Sequence, residues 1–110
     1  MGKVQITVAV ARVLREFLAE PSEPRYGYEL MHATSFPSGK LYPILKRLMV
    51  VGWLIKEREP TAAPEVGRPI RSYYRLTPDG TEAARYALAE LSEQISPPLL
   101  GSLRPNGGLA

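Results

Sequence analysis

Lys40, Tyr42, Lys46 and Arg47 fall in one stretch, Ser38 to Gly52, with no acid among them. At ~3.6 residues per turn they share a broad face with Gly39 and Pro43. Two lysines, an arginine and a phenol hydroxyl on one face all carry donors, and no carboxylate competes for them. That chemistry suits phosphate oxygens, and at the helix start it suits base edges in a major groove. The opposite face, Leu41, Ile44, Leu45 and Leu48, follows the i, i+3, i+4, i+7 rule and anchors the helix in a core. The competing reading is an ordinary amphipathic helix with a solvated basic side. Other chemistry has little to stand on. His32 is the sole histidine, there is no cysteine, and no nucleophile has a suitable base. Neither Gly27 nor the region of Gly67 has phosphate-loop spacing. No enzyme activity, cofactor or metal is expected.

The elements that must position this face can be read along the chain. Its 110 residues suggest one domain, with 45% apolar and 23% charged residues, as in soluble globular proteins. No membrane span or signal peptide is visible, so a cytoplasmic, nucleoid-associated protein is expected. Net charge is +3, but its distribution says more. Residues 25–75 hold nine bases against four acids, and the remainder five against seven. The positive charge surrounds the basic helix and the hairpin that follows it.

Val10, Val13, Leu14, Phe17 and Leu18 predict a helix over Thr7 to Ala19, stopped by Pro21 and Pro24. A shorter helix is predicted at about Tyr26 to Ala33. The turn Thr34 to Ser38 then leads into the basic helix, with Ser38 as its expected N-cap. Two helices joined so closely make a helix-turn-helix. Pro43 cannot donate to Gly39 and predicts a tightened or bent first turn; Gly52 predicts the end. Trp53 to Glu59 and Ile70 to Leu76 read as two strands around an irregular tip that holds Arg68, with Arg71 just inside it. Thr77-Pro78-Asp79-Gly80 is a helix start, and the helix runs to about Ser96, before Pro97-Pro98.

The expected fold is mainly α with a small β-hairpin: a winged helix-turn-helix over 1–76, a C-terminal dimerisation helix over 77–96 and a loose tail over 97–110. The last helix spans roughly 28 Å, more than a small winged helix needs to close its core. Its stripe of Ala84, Ala87, Leu88, Leu91 and Ile95 is therefore the expected homodimer interface, the alternative being that it packs back on the first helix.

Four segments carry a resemblance. They are R-Y-G-Y-E-L-M (Arg25 to Met31), S-G-K-L-Y-P-I-L-K-R-L (Ser38 to Leu48), G-W-L (Gly52 to Leu54) and G-R-P-I-R-S-Y-Y-R-L-T-P-D-G (Gly67 to Gly80). In this order and spacing the chain resembles the PadR-like transcriptional regulators from about Thr7 to Leu91. The resemblance implies a winged-helix fold, a C-terminal dimerisation helix and, usually, repression at inverted-repeat operators. It places Tyr28, Ser38, Gly39, Lys40, Tyr42 and Lys46 at or near double-stranded DNA. Lys40 stands where the family commonly has Thr, and Met49 where an acid is usual. Lys40 is expected to read bases, Lys46 and Arg47 to hold phosphates, and Arg68 and Arg71 to act from the wing. Tyr42 has packing against the wing base as its alternative, and Arg47 pairing with an acid. Tyr73 and Tyr74 are expected to be structural. A small-molecule effector at the dimer junction is a further possible partner. The apolar Met49-Val50-Val51 end motivates a different class of function, a winged helix used as a protein-interaction module.

Overall fold

The computed structural model describes residues 4–59 and 71–95. Its helices and strands run α1 (Val8–Ala19), β1 (Arg25–Tyr26), α2 (Gly27–Thr34), α3 (Ser38–Val50), β2 (Leu54–Arg58), β3 (Ser72–Leu76) and α4 (Pro78–Ile95). A three-stranded antiparallel sheet has the order β1-β3-β2. The α+β winged helix-turn-helix expected from the sequence is thus the fold of this chain. The strand β1 was not expected. Arg25 pairs with Tyr74 and Tyr26 with Tyr73, so two residues ahead of α2 cover the free edge of β3.

Local chemistry explains where the helices begin and end. Thr7 Oγ1 accepts from the Val10 amide at 3.1 Å and starts α1. Glu29 Oε1 accepts from the Tyr26 amide at 3.0 Å at the start of α2. Thr34, buried near the end of α2, donates to the Leu30 carbonyl and accepts from the Phe36 amide. Ser35 turns the chain in the left-handed region, at φ 63°. α3 ends on Gly52, at φ 86°, whose amide donates to Met49 O while that of Trp53 donates to Leu48 O. This paired closure satisfies two carbonyls that the helix leaves free.

One expectation about α3 is corrected. Ser38 does not cap it. Pro37 occupies that position in extended geometry, and its carbonyl accepts from the amides of Lys40 and Leu41 at 3.0 Å each. Ser38 already lies inside the helix, so its hydroxyl cannot reach forward to the first-turn amides. Pro43 is accommodated within the helix.

The core joins one face of every helix. Val10, Val13, Leu14 and Phe17 from α1 meet Leu30 from α2, Leu41, Ile44, Leu45 and Leu48 from α3, and Leu54, Tyr74 and Leu76 from the sheet. α4 starts as expected: Thr77 Oγ1 accepts from the Gly80 amide at 2.8 Å and donates to the Gly52 carbonyl at 2.9 Å. That side chain ties the end of α3 to the start of α4.

Ala84 requires a second correction. It is fully buried in the chain's own core, so it has no surface left to offer a second copy. Ala87 and Leu88 are half-buried against the same core, and Leu91 is half-buried too. The first half of α4 thus packs back on the body, the alternative left open by the stripe. Ile95 lies in α4, but its side chain falls outside the description, as do residues 97–110.

Candidate nucleic-acid interface

The apolar stripe of α3 is fully engaged by the core, so the opposite face is turned outward by necessity. Ser38, Gly39, Lys40, Tyr42, Pro43, Lys46, Arg47 and Val50 are all exposed, and α3 contains no acid. Among the described residues Lys40, Lys46 and Arg47 form no ion pair. The alternative of an acid partner for Arg47 is therefore not realised there. Two arginines elsewhere are paired: Arg25 with Glu16 and Glu29, and Arg75 with Glu57. The face keeps its positive charge uncompensated, which is the electrostatic footprint of an anion-binding surface.

Lys40 leans back on the turn before α3. Its Nζ lies 4.5 Å from the ring centroid of Phe36, and the Arg12 guanidinium carbon lies 5.6 Å from the same ring. Such contacts contribute about 0.5–1 kcal/mol at exposed sites, too little to hold a lysine that gains a better partner. Arg12 is anchored further by donating to the Thr34 carbonyl at 3.3 Å.

Tyr42 is 40% exposed, and its inner side packs toward α2. Its ring edge lies against Gly27 at the start of α2, where a Cβ would overlap the Tyr42 hydroxyl. The glycine is therefore a space requirement: it lets α3 approach the beginning of α2 with a tyrosine between them. Tyr28, 52% exposed, stacks on Tyr26 with centroids 5.5 Å apart. The Arg71 guanidinium carbon sits 4.6 Å from the Tyr28 centroid. Tyr26 also meets Tyr73 edge-on at 5.8 Å. This chain of contacts fastens the root of the hairpin to α2. Tyr74 is buried and Tyr73 half-buried, as expected of structural residues. Burial, and then the neighbouring Tyr42 hydroxyl, push the Tyr74 hydroxyl above the usual tyrosine value.

The structure thus brings Tyr28, Tyr42 and Arg71 together beside the outward face of α3. Arg68 lies outside the described residues. The sequence reading missed Lys56, which projects from β2 into the same region, and the role of Gly27. A signal for Lys56 was present: it is two residues past the buried Leu54, so strand alternation puts both on one face. The apolar end of α3 proves less available than its composition suggests. Met49 and Val51 pack against the core, leaving Val50 alone in solvent at 77% exposure. No metal-holding cluster of His, Cys, Asp or Glu exists among the described residues, and none of their helices is long and apolar enough to cross a membrane.

Comparisons with known proteins agree with this architecture. The PcaV transcriptional regulator from Streptomyces coelicolor is similar at 25% identity and a TM-score of 0.66. The match covers 90% of this chain and 66% of that one, so the chain spans just under two thirds of PcaV. The structure of smu.1704 from Streptococcus mutans UA159 is similar at 28% identity and a TM-score of 0.65, over 92% of this chain and 98% of that chain. Reduced AbfR bound to DNA, AbfR being a protein of Staphylococcus epidermidis, is similar at 26% identity and a TM-score of 0.58. That match covers 77% of this chain and 56% of AbfR. No curated protein matches the sequence. The family model described as "Transcriptional regulator PadR-like family" matches residues 16–86.

Proposed function

The chain belongs to the PadR-like family of transcriptional regulators, and from that premise we propose that it is a homodimeric repressor that reads an inverted-repeat operator through α3. The observation that carries this reading is the outward face of α3, where three cations and a tyrosine stand exposed without a carboxylate. Lys40, in the first turn, reaches base edges once released from Phe36. Ser38, Lys46 and Arg47 hold the sugar-phosphate backbone, with Tyr28, Tyr42 and Arg71 beside them. Gly39, exposed with nothing near its Cβ position, lets the helix start lie close to the duplex. The DNA-bound state of the similar AbfR supports a duplex as the partner. The second half of α4, with Leu91 outside the body's own core cluster and Ile95 one turn further along the helix, serves a two-fold mate. Ala87 and Leu88 form the border between the two roles. The interaction-module reading loses its motive, since only Val50 of the apolar run is free.

Selection from a random duplex pool tests the proposal directly. The expected result is an enriched inverted repeat carrying two chains per duplex, with affinity that falls steeply with salt through counterion release. A pool that stays unenriched, or one chain per duplex on a site without two-fold symmetry, is the result that refutes it.

A further inference from the structure

A cleft of about 420 Å³ opens between the start of α2, the outer face of α3 and the root of the β2–β3 hairpin. Tyr28, Tyr42, Lys56, Arg71 and Ser72 line it. Every one of these side chains carries a hydrogen-bond donor, and no carboxylate is among them. We propose that this cleft is a phosphodiester seat in which Lys56 and Arg71 supply the charge and the hydroxyls of Tyr28, Tyr42 and Ser72 complete the contacts. The proposal rests on the DNA-binding reading above and adds to it a residue from the hairpin's first strand.

Lys56 lies across the ladder from Tyr74, so both side chains stand on the face of the sheet turned toward the helices. Its sequence neighbour Glu57 points the other way and is committed to Arg75. Among the described residues Lys56 makes no ion pair. The Arg71 guanidinium carbon lies over the Tyr28 ring, and among the described residues Arg71 makes no ion pair. A phosphate, with only acceptor oxygens and a negative charge, matches what is there. Tyr74, which also lines the cleft, keeps its hydroxyl proton to higher pH than a free tyrosine and so presents no competing negative charge.

The test measures binding of wild type, Lys56→Gln and Lys46→Ala to the selected operator and to a scrambled duplex, by fluorescence anisotropy across a salt series. Lys56 is exposed, so its variant should melt with the wild type. The seat predicts that Lys56→Gln weakens both duplexes by one common factor, about tenfold for each bound chain, and reduces the log–log salt slope by ~0.9 per chain, hence ~1.8 for a two-chain complex. Ser72→Ala should give a smaller loss of the same uniform kind. Wild-type affinity and slope in Lys56→Gln, alongside weakened binding by Lys46→Ala, overturn the seat and leave DNA binding standing. Absence of duplex binding by the wild type overturns both. Inorganic phosphate, titrated at constant ionic strength and followed by NMR, separates the two sources of the anion. Saturable shifts at Lys56 and Arg71, with duplex binding unchanged in Lys56→Gln, would mark a free-anion site and overturn the phosphodiester assignment.

Discussion

Replacing Gly27 with alanine separates stability from binding in a way the geometry specifies. Gly27 has no positive φ, so alanine meets no backbone strain there. The added methyl would overlap the Tyr42 hydroxyl and stand 3.0 Å from its Cζ, and every close atom belongs to that one side chain. Tyr42 is part exposed and can swing outward. The helix gains up to ~1 kcal/mol from exchanging glycine for alanine. Against this stands a displaced ring, costing about 0.5–1.5 kcal/mol if it is held off its rotamer. The two terms nearly cancel, so the melting free energy should change by less than about 1 kcal/mol. Binding should not escape. A hydroxyl bonded to a charged phosphate contributes ~1.5–3 kcal/mol, so moving it away should weaken the duplex complex about 10- to 100-fold. Tyr42→Phe should lose a similar amount with Gly27 intact, and the double variant should lose no more than the larger single loss. Denaturant melts and anisotropy titrations supply both readings. Wild-type affinity in Gly27→Ala, or losses that add in the double variant, would refute the reasoning.

Other consequences follow from neighbouring residues. Gly80→Ala is the opposite case: its Cβ would overlap Trp53 backbone atoms, with Cα at 2.6 Å and the carbonyl carbon at 2.7 Å, which cannot step aside. A loss of about 3 kcal/mol or more is expected in chemical denaturation. Thr77→Ala removes the α4 cap and its tie to Gly52, and should cost ~1–2 kcal/mol in the same assay. Lys40→Ala should change base preference, costing ~1–3 kcal/mol on the best site, whereas Lys46→Ala should weaken all sequences alike; a panel of operator variants distinguishes them. Tyr74 titrates above its usual value of 10.0 when folded, so its contribution is full below that pH. As pH rises past 10.0 the unfolded chain loses the proton first, and stability should decline through the folded value. Denaturant melts at a series of alkaline pH values, compared with Tyr74→Phe, should show the decline in the wild type and a smaller one in the variant.

How far the sequence could be read depends on where each feature's cause lies. The stripe of Leu41, Ile44, Leu45 and Leu48 repeats with the helix period, so the helix, its inner face and hence its basic outer face were legible at once. The hairpin strands and the Thr77 start of α4 carried equally local signals. Ser38 misled because serine is a strong capping residue, while Pro37 was already fixed in the extended geometry that a cap needs. β1 carried no signal: two residues have no period, and Arg25–Tyr26 is a strand only because the edge of β3 has free backbone groups to satisfy.

Ala84 shows a further limit. A periodic stripe says that a face is buried, not which surface buries it, and here α1 and the sheet reach the first half of α4 before any second copy could. The same limit applies to the proposed interface for DNA. Its α3 component was legible because one helix displays it. In the component where separate elements meet, Tyr28 and Arg71 were named but Lys56 and the role of Gly27 were not, because their place beside Tyr42 depends on how those elements pack. Gly27 in particular has no local reason to be glycine; its reason is Tyr42, on another helix. Surfaces that bind across elements are thus the part of this protein where packing must be known before chemistry can be assigned.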